Sequence, residues 1–166
     1  TGVQTDIYFY CIYSAGLMAG FASNLNSAVL IPESMRLSKA SGEQASREFL
    51  NFFLYALLAL GLVFSAVALV FPVQIFSFLS RFSHAALEQN KTLLLLAVPI
   101  FTMMKVSIFL SDILVSRKFF TIPMMAGLTV NTGSLVFIFL FGPNWGVASI
   151  AAGMLAGHTL NIALML

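Results

Sequence analysis

Charge is what this sequence lacks most. Only 8% of its 166 residues are charged and 60% are hydrophobic, where an ordinary soluble domain carries about 25% charge. A water-soluble fold could not cover that much apolar surface. The formal net charge is +2, with no basic run and no interleaving of aromatic and basic residues, so nucleic acid finds nothing to bind. The single cysteine, Cys11, lies inside an apolar stretch and supports neither a disulfide framework nor a metal site. The six carboxylates fall mostly between apolar stretches. No zincin, nucleophile-elbow or phosphate-loop motif appears, and no His and Cys residues share metal-ligand spacing. Enzyme chemistry and a resident cofactor therefore have no footing, and an ATP-driven pump would need a nucleotide domain that this stretch does not hold.

What the sequence has is length in apolar runs. They recur at intervals that match the roughly 20 residues needed to cross a bilayer as a helix. The expected fold is an all-α integral membrane protein with five spans and a short interfacial helix. The spans are placed at about 6–31, 49–71, 92–115, 122–141 and 146–166. Pro32 is expected to close the first span, and Ser41-Gly42-Glu43-Gln44 can form a capping box at the entry to the second. From Pro72 to about residue 82, apolar Val73, Ile75, Phe76, Phe78 and Leu79 alternate with Gln74, Ser77, Ser80 and Arg81, as an amphipathic helix lying on the membrane would. Pro99 should kink the third span. Gly142-Pro143 should stop the fourth, with Trp145 as an interfacial anchor. Seventeen Phe and eight Met suit lipid contact and adaptable helix packing.

Charge in the connections sets the orientation. Arg36, Lys39 and Arg47 fall in segment 32–48 and Arg117 and Lys118 in segment 116–121, whereas the opposite side carries only Arg81 and Lys91. The positive-inside rule places 32–48 and 116–121 in the cytoplasm and residue 1 outside. The chain starts at Thr1 and its last residues are still apolar, so it is expected to be part of a longer protein with one further span before Thr1.

Several polar side chains fall inside the apolar runs. Ser23, Asn26 and Ser27 share a helical face, with Asn24 beside it. Such a stripe lines a wet cavity or hydrogen-bonds to neighbouring helices. Lys105 falls near the middle of the third span, where a lysine costs about 2.5–3.5 kcal/mol to insert. It must face a cavity, a carboxylate or an anionic substrate. Asp112 lies about two turns further along, close to Arg117 and Lys118, and is a candidate for ion coupling. Asn131 and Thr132 interrupt the fourth span. His158 and Asn161 share a face in the fifth, where His158 serves either packing or proton coupling. Gly16 with Gly20, and Gly153 with Gly157, have the spacing of close helix packing.

Five passages together resemble the multidrug/oligosaccharidyl-lipid/polysaccharide exporter superfamily, and most closely its MurJ/MviN branch of murein-lipid flippases. They are the opening Thr5-Asp6-Ile7-Tyr8-Phe9-Tyr10; Pro32 followed by a charged stretch and Gly42-Glu43 to Phe49; Pro72 with its amphipathic segment; Pro99; and Arg117-Lys118-Phe119-Phe120-Thr121-Ile122-Pro123 with Asn131 beyond it. The last is the most specific. The resemblance implies helices two to six of a fourteen-helix-type transporter, within its N-terminal lobe, in a bacterial cytoplasmic membrane. It implies alternating access for a polyprenyl-diphosphate-linked saccharide such as a lipid II-like peptidoglycan precursor. The partners implied are that lipid, the surrounding membrane lipids and the remaining helices, and the energy source is a sodium or proton gradient. The chain departs from the pattern where murein flippases carry arginines in helix two. Ala19-Gly20 stands there, and the next basic residue is Arg36.

Three readings follow. In a flippase, Lys105, Asn24, Asn26, Ser23, Ser27 and Asn131 would line the substrate cavity. In a cation-coupled multidrug antiporter of the same superfamily, Asp112 or His158 would carry the coupling ion. In a membrane scaffold, the same side chains would only hold helices together. A cavity bordered by spans one, three and four would separate the first two from the third.

Overall fold

A computed structural model describes residues 2–166. The chain is helical almost throughout: α1 (Gly2–Leu25), a π-helical turn (Asn26–Leu30), α2 (Ile31–Ser41), α3 (Glu43–Val70), α4 (Pro72–Leu79), α5 (His84–Gln89), α6 (Lys91–Ser116), α7 (Thr121–Trp145) and α8 (Val147–Met165). Five of these units are long and apolar enough to cross a membrane: Gly2–Ser41, α3, α6, α7 and α8. The protein is thus an all-α, multi-pass membrane protein.

Pro32 does not end the first helix. The helix passes through it and continues to Ser41, 40 residues in all. At 1.5 Å per residue that is about 60 Å, roughly twice the hydrocarbon thickness. The part after Pro32, with Glu33, Arg36 and Lys39, therefore projects beyond the apolar slab. The π turn explains how the proline is tolerated. A proline ring clashes with the carbonyl four residues back and donates no hydrogen bond. Widening the preceding turn, so that the Ile31 N–H reaches the Asn26 carbonyl, relieves both problems.

The capping box is not formed either. Gly42 precedes α3 with φ of 91° and no side chain caps the helix. Glu43 turns aside to accept from the Ser38 hydroxyl at 2.6 Å. The helix α7 likewise runs past Gly142-Pro143 to Trp145 and stops at Gly146, whose φ of 53° turns the chain. Pro143 sits in the final turn, where its missing N–H removes one bond only. Trp145 stacks on Phe141 with ring centroids 5.0 Å apart.

α6 is the centre of the bundle. It packs on α1, α3, α4 and α8. Near its start, Leu94, Ala97, Val98 and Ile100 are buried with Ile7 and Cys11 of α1 and Val73 and Phe76 of α4. Near its end, Phe109 packs with Leu30 and Leu50, and Val106 and Leu110 pack with Met165. The expected amphipathic segment is α4, with Pro72, Val73 and Phe76 inward and Phe78 outward; it ends at Leu79, and the short α5 follows.

Candidate functional site: the Lys105 cavity and the Asn26–Asp112 pair

Lys105 does not point into a sealed seam. It lies at one end of a cavity of about 610 Å³ walled by α1, α3, α4 and α6. The walls are mainly apolar, with Leu17, Met18 and Phe21 on one side and Phe64 and Phe101 on the other. Tyr10 also lines it, but its hydroxyl donates to the Leu79 carbonyl and ties the end of α4 to α1. Ser14 and Lys105 remain as polar wall groups, and neither makes a hydrogen bond or ion pair among the described residues. The borders are spans one, two and three with the interfacial helix, rather than spans one, three and four. α7 is displaced outward and takes no part.

The polar stripe of the first span does not join that cavity. Asn26 is 4% exposed, and its Nδ2 donates to Asp112 Oδ2 at 2.9 Å. Asp112 therefore pairs with Asn26 in the π turn, and Arg117 pairs elsewhere, with Glu43 at 3.6 Å. Ser23 is half-buried, whereas Asn24 and Ser27 are exposed. Asn131 is exposed on α7. In α8, Asn161 Nδ2 donates to Ser107 Oγ of α6 at 2.6 Å. His158 Nδ1 and Asn161 Oδ1 are buried without a partner. The structure thus places Lys105 at the cavity, Asn26 with Asp112 at the π turn and His158 with Asn161 at the α6–α8 seam, and brings Ser23, Asn24, Ser27 and Asn131 to none of the three. Among the described residues, no group of three or more His, Cys, Asp or Glu side chains could hold a metal ion.

Lys105 is thus a lysine without a partner among the described residues, beside a cavity in a bundle with five helices long and apolar enough to cross a membrane. The family model for the lipid II flippase MurJ matches the chain over residues 1–166. The chain belongs to the MurJ lipid II flippase family. No curated protein and no solved structure matches it. MurJ proteins are flippases for a lipid-linked saccharide, and so transporters rather than enzymes. That Ser14 and Tyr10 share a wall with Lys105 was barely legible beforehand. The only available signal was their spacing of four, one helical turn, on the face that also carries Leu17, Met18 and Phe21.

Proposed function

We propose that this chain forms part of the N-terminal lobe of a fourteen-helix-type flippase. The transporter moves a polyprenyl-diphosphate-linked saccharide, of the lipid II type, across the bacterial cytoplasmic membrane by alternating access. The observation that carries the reading is Lys105: an ammonium near mid-membrane, unpaired, at the end of a cavity of about 610 Å³. A diphosphate cannot cross hydrocarbon bare, and a charge-assisted contact to a fixed ammonium offsets part of that cost. The apolar walls suit the hydrocarbon adjoining the head group. Segments 32–48 and 116–121 face the cytoplasm in this reading, which agrees with their excess of Lys and Arg.

A second reading concerns energy coupling, and the Asn26–Asp112 hydrogen bond favours it. A carboxylate bound to a π turn, a distortion frequent at functional sites, would take a proton or sodium ion as the lobes rock. The same site would serve a cation-coupled antiporter. One assay addresses both readings: appearance of labelled lipid-linked saccharide at the outer face of vesicles containing the full-length protein. Lys105→Ala is expected to lower the rate at least tenfold and Lys105→Arg to restore much of it, a tenfold change being about 1.4 kcal/mol in the barrier. Asp112→Asn is expected to leave a slow rate that no longer responds to collapsing the ion gradients. Full activity in Lys105→Ala would remove the substrate role. Unchanged gradient dependence in Asp112→Asn would remove the coupling role.

A further inference from the structure

A second site lies at the basic end of the bundle, away from the Lys105 cavity. The end of α2, the start of α3 and the end of α6 enclose a polar pocket of about 250 Å³. α3 begins there with no side-chain cap, so the N–H groups of its first turn have no side-chain acceptor and carry the positive end of the helix dipole. Ser46 lines the pocket and is only 2% exposed. Its hydroxyl makes no hydrogen bond among the described residues and so is free to donate into the pocket. Lys39 and Arg117 complete the walls.

The one carboxylate on the pocket wall is Glu43. It accepts from the Ser38 hydroxyl at 2.6 Å and meets Arg117 at 3.6 Å. Its side chain is 64% exposed, so the ion pair is weak and readily exchanged. At the end of α6, the Ser116 hydroxyl and the Arg117 N–H both donate to Ile113 O, so Ser116 Oγ is already committed.

We propose that this pocket binds the phosphate group of a membrane lipid. The Ser46 hydroxyl, the first-turn N–H groups of α3, Lys39 and Arg117 supply donors from several directions, which suits a tetrahedral oxyanion. Glu43 occupies the place of that oxyanion in its absence and swings outward when it arrives. The pocket sits where three helices leave the apolar slab, at the depth of lipid head groups. An anionic phospholipid and the diphosphate of the transported lipid present the same chemistry there. The inference rests on the membrane reading and not on the role given to Lys105.

The test uses the full-length protein carrying Lys105→Ala, which silences the cavity, in phosphatidylcholine nanodiscs titrated with inorganic pyrophosphate and followed by phosphorus NMR. Saturable binding is expected. Ser46→Ala and Lys39→Ala should each weaken it about tenfold, the value of one lost charge-assisted hydrogen bond. Glu43→Gln should tighten it. Glu48→Gln and Arg36→Ala, which change the same charges outside the pocket, should leave it unchanged. Absence of binding, or binding that follows net charge alone and ignores Ser46→Ala, overturns the proposal. Native mass spectrometry then separates the sources. Retention of phosphatidylglycerol that is lost in Ser46→Ala assigns the pocket to bulk lipid. The same behaviour of polyprenyl-diphosphate saccharide alone assigns it to the substrate. Retention that ignores Ser46→Ala in both cases again overturns the site.

Discussion

α6 and α7 have nearly the same length, 26 and 25 residues, and both are apolar enough to span a bilayer, yet they hold opposite positions. α6 buries nine residues, among them Phe109 and Ile100, and touches helices on several sides. α7 buries none and packs almost wholly on α8. Apolar composition therefore does not say whether a membrane helix is central or peripheral, because lipid tails are as apolar as a protein core. The difference lies in small residues and in polar partners. α6 offers Thr102, Lys105, Ser107 and Asp112 to its neighbours or to the cavity. α7 offers a close approach of backbones at Gly133 and exposes Met124, Leu128, Leu135 and Phe139.

The sharpest way to break the comparison is to disrupt the glycine seam that joins α7 to α8. A Cβ added to Gly153 would lie 2.6 Å from the Gly133 carbonyl oxygen and 2.6 Å from Ser134 Cα. Both are backbone atoms and cannot swing aside. Gly153→Leu is expected to cost about 3 kcal/mol, the upper part of the range for overpacking. It should separate α7 from α8 while leaving the α1–α6 core folded. Cysteine cross-linking between α7 and α8, read beside cross-linking between α1 and α6, measures the two separately. Gly16→Leu is the control, since no atom lies within 4 Å of its added Cβ. Equal damage from the two substitutions would show that α7 is held by something other than this glycine seam.

A smaller change tests α6. The Thr102 hydroxyl donates to the Gly61 carbonyl at 3.1 Å and lies 2.9 Å from Ser65 Oγ, clasping α3 to α6 where Gly61 brings the helices together. Thr102→Val keeps the shape and removes both bonds. Interhelical hydrogen bonds in membranes average about 0.6 kcal/mol and reach about 1.7, and the expected loss lies in that range. Unfolding in mixed micelles should record it. No loss would mean that apolar packing alone joins α3 to α6.

How much of this was legible beforehand follows the same division. The five spans and the amphipathic α4 could be read because burial in lipid demands long apolar runs, and these are local properties of the chain. The Gly153–Gly157 seam could be read from spacing, but the identical spacing of Gly16 and Gly20 meets no partner among the described residues. Spacing states what a face can do and not what lies opposite. The end of the first helix, as distinct from its apolar span, was misplaced for a related reason. Pro32 is a strong stop signal, and the π turn that absorbs it leaves no mark in composition. The Asn26–Asp112 pair joins residues 86 apart in sequence, and only the packing of α6 on the first span brings them together. Lys105 was legible as an anomaly because a mid-membrane lysine is costly wherever it points. The walls of its cavity were not, because they are ordinary apolar side chains from four helices.

The smallest effect expected lies at the junction between the two helices compared. α6 ends with the Phe119 N–H bonded to the Leu114 carbonyl at 2.9 Å and the Lys118 N–H bonded to the Val115 carbonyl at 2.9 Å. This is the double bond pattern of a Schellman ending, in which the residue after the cap adopts a left-handed conformation. Glycine usually stands there; here it is Lys118, with φ of 66°. Holding a side chain in that region costs about 1–2 kcal/mol, and the extra freedom of a glycine in the unfolded chain returns part of the difference. Lys118→Gly should therefore stabilise the α6–α7 junction by about 0.5 kcal/mol net. Slower amide hydrogen exchange at Phe119 and Phe120 would record it. Unchanged or faster exchange would mean that the lysine is worth more at this corner than its backbone strain costs, through its charge beside the Arg117–Glu43 pair. The turn would then belong to the basic end of the bundle as much as to the helix it closes.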